Sequence, residues 1–101
     1  MDIMLKFENK ERGAFVIEEG NDRVAEMVFG RKGTNLIVYH TEVAEKLKGQ
    51  GVAPRLLDQM VEYARKESLQ VVPLCQYVLA QFKRHPEKYS DIWNRNWHEI
   101  H

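Results

Sequence analysis

The chain has 101 residues, 44% of them hydrophobic and 30% charged. These are the values of one small globular domain, not of a disordered tail or a large multi-site enzyme. Its 15 Lys and Arg residues balance 15 Asp and Glu, so no global basic field draws it to nucleic acid or to an anionic membrane.

A single cysteine excludes an internal disulfide and an all-Cys zinc site. The first residues, Met1-Asp2-Ile3-Met4-Leu5-Lys6, lack the basic start and apolar run of a signal peptide. No apolar stretch approaches the roughly 20 residues of a membrane helix. The expectation is a soluble, cytoplasmic protein that works on neither membrane nor nucleic acid.

Leu5-Lys6-Phe7 reads as a short, weak strand. Ala14-Phe15-Val16-Ile17, rich in β-branched and aromatic residues, reads as a firmer one and runs into the turn chemistry of Glu18-Glu19-Gly20-Asn21-Asp22. In residues 23–29, Ala25, Met27 and Phe29 fall on one face at period two. Gly30-Arg31-Lys32-Gly33-Thr34-Asn35 reads as a second turn. Residues 36–43 begin as a continuous apolar run, the mark of a strand buried on both faces. Short turns between consecutive strands imply antiparallel hairpins.

The period then changes. Val52, Ala53, Leu56, Leu57, Met60, Val61 and Ala64 form an i, i+3, i+4 stripe that predicts a helix over 52–67. Pro54 stands near its start, where a missing N–H costs nothing. Gln70-Val71-Val72-Pro73-Leu74 reads as another buried strand. A strand–helix–strand unit makes its two strands parallel and packs the helix on the sheet. Residues 76–84 predict a shorter helix, closed at His85-Pro86 because the residue before proline avoids helical geometry. Residues 87–93 predict a last turn or helix. With no repeat or linker, 1–101 is a single domain with a C-terminal aromatic tail at 90–101.

The informative segment is 45–55, which joins a buried strand to the long helix. Gly49 and Gly51 let the backbone turn and expose its N–H groups. The first N–H groups of a helix have no internal partners, and the helix dipole adds positive potential there, so the combination suits a pyrophosphate. Lys46, Lys48 and Arg55 add local cationic charge. The same two glycines equally suit a plain tight turn. A Walker loop is excluded by its residue order, and a dinucleotide fingerprint fails where Pro54 replaces its third glycine.

Strand His40-Thr41-Glu42-Val43, loop Leu47-Lys48-Gly49-Gln50-Gly51-Val52-Ala53 and the following helix resemble the acetyl-CoA-binding motif of the GNAT acetyltransferase superfamily, Arg/Gln-x-x-Gly-x-Gly/Ala. Lys48, Gly51 and Ala53 fill its three fixed places, with lysine for the usual Arg or Gln. Val71-Val72-Pro73-Leu74-Cys75 and His85-Pro86-Glu87 with Tyr89 are similar to the small, single-domain YjdJ-type branch. The likeness runs over about 15–89.

The resemblance implies an α+β fold: a mixed, mainly antiparallel sheet with helices packed on it in three α/β/α layers. It implies N-acetyl transfer, with acetyl-CoA as cosubstrate and coenzyme A as product. The pantetheine arm would lie where the strand ending at Val43 splays from the strand ending at Leu74, paired with amides near Val43. Amides of Lys48, Gly49, Gln50, Gly51, Val52 and Ala53 would hold the pyrophosphate, with Arg55 nearby. The acceptor amine is not implied, because this branch lacks the extra helices and strands by which larger relatives grip it. Oligomeric state is not legible either. A reading of another class stays open: a CoA- or acyl-CoA-binding module with little catalysis, or an interaction protein, since little chain remains for an acceptor pocket.

Three residues are candidates for the chemistry. Cys75 stands where a strand ends and a helix begins, a place where thiols gain thiolate character. The resemblance implies that it contacts the thioester or accepts the acetyl group; cysteine is also among the most buried and inert of residue types. His40 and Glu42, two apart on a strand, share one face and could relay a proton, or serve only as a paired strand histidine and a partner for the loop lysines. In the tail, Trp93 and Trp97 make an i, i+4 apolar stripe suited to packing on the domain or on a partner. His98 and His101 have i, i+3 spacing, but no third ligand is evident and no metal site is expected.

Overall fold

A computed structural model describes residues 2–97. Five strands, β1 (Met4–Phe7), β2 (Arg12–Glu19), β3 (Asp22–Lys32), β4 (Asn35–Val43) and β5 (Gln70–Pro73), form one sheet in sequence order. The first four pair antiparallel. Helix α1 (Val52–Lys66) carries the chain across to β5, which pairs parallel with β4 from Asn35–Gln70 to Val38–Pro73. Helices α2 (Gln76–Arg84) and α3 (Pro86–Tyr89) follow.

The period-two face of the hairpins builds the core. Phe15, Ile17, Ala25, Met27 and Phe29 join Leu36, Val38 and Val71 against Leu56, Met60 and Ala64 of α1 and Val78 and Phe82 of α2. The ring of Phe29 is fully buried among Phe7, Phe15 and Tyr63 at centroid distances of 5.8, 5.4 and 6.0 Å. The expected mixed, mainly antiparallel sheet with packed helices is present. Helices α1, α2 and α3 all contribute side chains to one buried cluster with the sheet.

The second turn is also shorter than the sequence suggests. Residues 30–32 belong to β3, and only Gly33 and Thr34 turn. Gly30 marks a close approach: a Cβ there would lie 2.9 Å from Tyr39 Oη. Tyr39 is the extra residue of a bulge, since Val28 faces His40 while Phe29 already faces Val38.

Past the second helix, residues 87–93 are helical only as far as Tyr89. The chain then runs along the outer edge of β5, where Trp93 bridges Val71 in parallel and Asn94 N donates to Val71 O at 2.9 Å. Trp93 packs on the domain through Phe82, its ring 5.6 Å away. Residues 98–101, with the His98 and His101 pair, lie outside the described residues. No helix among the described residues is long and apolar enough to cross a membrane.

Candidate functional site

The sheet opens at one end. β5 stops at Pro73, opposite Val38, while β4 continues to Val43. Cys75 N donates to Val38 O at 2.8 Å and turns the chain away into α2. Ala44 N donates to Val24 O at 2.8 Å. By the alternation of an antiparallel pair, His40 and Glu42 then turn their backbone groups toward β3, and Thr41 and Val43 turn theirs into the gap. The result is a cleft of about 690 Å³. Arg23, Glu26, Thr41, Glu42 and Val43 line it from the sheet, and Lys48, Ala53 and Tyr77 from the helix side.

The loop beside it is anchored by buried Leu47, the last residue of a 3-10 turn over Glu45–Leu47. Gly49 and Gly51 adopt left-handed φ of 84° and 72°, and open space surrounds a Cβ built on either. Conformation, not room, selects glycine here. Gly51 caps α1 without a side-chain hydrogen bond, and the first turn of the helix holds no acidic residue. The N–H groups of Val52 and Ala53 are therefore left for an incoming acceptor, with the positive end of the helix dipole behind them.

The three cations of this loop separate. Lys48 lines the cleft and pairs with Glu45 at 3.2 Å. Lys46 reaches back to Glu19, whose hydrogen bond raises the lysine pKa. Arg55 borders a different depression with Ile3, Asp58 and Gln59. The two lysine pairs are exposed, weak in water and cheap to exchange for a phosphate.

The three chemical candidates also divide. Cys75 is 4% exposed on the helix face, its Sγ 3.3 Å from Thr41 Oγ1 and behind that residue as seen from the cleft. His40 and Glu42 lie on the face of the sheet opposite Cys75. His40 Nε2 is 3.0 Å from Glu26 Oε2, and Arg23 Nη1 donates to Glu26 Oε1 at 3.1 Å. Burial pushes the Glu26 carboxyl up, but the hydrogen bonds from His40 and Arg23 outweigh it and hold the group below the ordinary 4.5. Tyr77 moves the other way: burial, then the negative charge of neighbours, raises its phenol. It stays protonated and can donate into the cleft.

Glu26, Thr41 and Tyr77 are not among the site residues expected from the sequence. Glu26 reaches the site only through its register opposite Glu42. Tyr77 was legible as two residues beyond Cys75 in the first turn of a helix, but its place in an apolar stripe hid it. Among the described residues no group of three or more His, Cys, Asp or Glu side chains could hold a metal.

The depressed carboxyls set an acid limit. Asp91 is held below its ordinary 3.8 by the Arg65 guanidinium, at 2.9 Å. Both it and Glu26 release protons more readily folded than unfolded, so their stabilisation is present above the ordinary carboxylate values and is lost as pH falls below them. Thermal melts from pH 6 to pH 3 should show Tm falling on the acid side. The fall should be shallower in the Glu26→Gln, Asp91→Asn double variant; an unchanged acid slope would refute the assignment.

The family model of the GCN5-related N-acetyl-transferases matches residues 14–92. Among solved structures, the chain is similar to a GCN5-like candidate N-acetyltransferase from Staphylococcus aureus, with a TM-score of 0.59 and 25% identity over 97% of this chain and 94% of that one. No curated protein matches the sequence.

Proposed function

The chain belongs to the GCN5-related N-acetyltransferase family and is an acetyltransferase, and from that premise we propose that its donor is acetyl-CoA and its acceptor an amine. The observation that carries the reading is the cleft itself: a strand edge with outward-turned backbone at Thr41 and Val43, beside a helix start that has no side-chain cap among the described residues. The residues present fit the cosubstrate. Backbone groups of Thr41 and Val43 would hold the pantetheine arm, and amides of Gly51, Val52 and Ala53, with Lys48, the pyrophosphate. The cosubstrate supplies an activated thioester carbonyl.

The chain's own groups then handle protons. The amine must be neutral to attack, so a base must take its proton; Glu26, Glu42 and His40 stand together on the face of β3 and β4 opposite Cys75 for that. The C–S bond breaks as the C–N bond forms, and the departing sulfur needs a proton or a hydrogen bond, which the protonated phenol of Tyr77 supplies. Cys75 acts as the partner that positions Thr41, and transfer to the amine is direct. Intact mass after incubation with acetyl-CoA should show no adduct, and Cys75→Ser should keep turnover within about threefold. An acetyl group on Cys75 would reverse this assignment.

Calorimetric titration with acetyl-CoA and with CoA tests the whole reading. Saturable one-to-one binding of both is expected, and no heat at millimolar ligand would overturn it. Lys48→Ala should weaken both ligands about three- to tenfold, as loss of one exposed charge contact implies.

A further inference from the structure

We propose a second binding site, for an anionic group, in the depression of about 520 Å³ where residues 9–12 meet β3 and β4. Its lining is unlike the rest of a neutral chain. Lys10, Arg12 and Lys32 face Glu11 alone, three positive charges against one negative. Among the described residues none of these three cations has a carboxylate partner, whereas Lys6, Arg23, Arg31, Lys46, Lys48 and Arg65 all do.

The floor is built, not incidental. The bulge at Tyr39 turns two successive residues, Tyr39 and His40, outward to solvent. Gly30 leaves the room that lets the Tyr39 ring lie against β3. Arg12 sits over that ring, its guanidinium 5.0 Å from the centroid. Stacking holds the guanidinium in place before any ligand arrives, so less side-chain freedom is lost on binding. Tyr39 is an exposed residue, and its hydroxyl makes no hydrogen bond within the described residues and adds a donor. A planar fork, two mobile ammonium groups and a phenol match the oxygens of a phosphate or a carboxylate. The site lies away from the amides of the α1 start and shares no lining residue with that cleft.

Amide NMR titrations of the labelled full chain, at constant ionic strength and without acetyl-CoA, test this with two probes: inorganic phosphate and a blocked tetra-aspartate peptide. Saturable shifts at Gly30, Lys32 and Tyr39 with millimolar or tighter Kd are expected for at least one probe, and which one saturates assigns phosphate or carboxylate. Arg12→Gln with Lys32→Gln should weaken that binding at least tenfold, while Lys66→Gln, an exposed change outside the depression, should leave it intact. Shifts that rise linearly for both probes, or that survive the double substitution, would overturn the site. With no acetyl-CoA in the tube, neither result bears on the cleft.

Discussion

Ala53→Asp is expected to weaken acetyl-CoA by about 10- to 100-fold while leaving the fold as stable as before or slightly more so. Ala53 is the second residue of α1, half-buried and on the wall of the cleft. An aspartate there faces the free N–H groups of the first turn and the positive end of the dipole, an arrangement worth about 0.3–1 kcal/mol to a helix. The same carboxylate would repel a pyrophosphate. At roughly 5 Å and an effective dielectric near 20 the repulsion is about 3 kcal/mol per unit charge, before salt and exposure reduce it. Each 1.4 kcal/mol is about tenfold in affinity, which sets the expected range. Ala53→Asn has the same shape without the charge, so the gap between the two variants isolates the electrostatic part. Calorimetry gives Kd and a thermal melt gives Tm. Equal affinity for Asp, Asn and the parent would move the pyrophosphate away from this helix start.

That substitution probes a feature the sequence already exposed. Gly49, Gly51 and Pro54 mark the turn and the helix start by backbone chemistry alone, and local rules suffice where the cause is local. The helix at 76–84 closed at His85 for the same reason. What stayed hidden depends on pairing across the sheet. A one-residue bulge at Tyr39 decides which of residues 38–40 face the helices, and period-two reading cannot place it. Glu26 became part of the cleft only through its place opposite Glu42. Gly30 looked like turn chemistry because glycine is permissive, yet it is the ring of Tyr39 that requires it. Cys75 was placed correctly at a strand–helix junction, but the direction of its side chain, toward Thr41 and away from His40, follows from the parallel pairing of β4 and β5. Charge counting likewise put Lys46, Lys48 and Arg55 in one cluster, and three separate carboxylate and helix environments pull them apart.

Phe82→Ala should be the most damaging single truncation on the helix side. Its ring is fully buried, stacked on Tyr89 at 4.6 Å and edge-on to Trp93 at 5.6 Å. Removing such a ring costs about 3–5 kcal/mol in lost transfer energy and cavity, against a total of roughly 5–15 kcal/mol for a domain. At about 4–8 °C per kcal/mol for a domain of this size, Tm should fall by roughly 15 °C or more. The site should feel the change because Phe82 holds α2, and α2 brings Tyr77 to the cleft. Leu79→Ala, on the same helix but only half-buried, should cost far less. The two roles of Phe82 separate by linkage. A ligand that binds only the folded chain raises stability by about 2.7 kcal/mol at 100 times its Kd. If α2 keeps its place, acetyl-CoA at a fixed multiple of the parent Kd should lift the variant and the parent by the same amount. A smaller lift in Phe82→Ala, beyond its lower starting Tm, is the expected outcome, and it would tie the aromatic cluster of α2, α3 and Trp93 to the shape of the cleft.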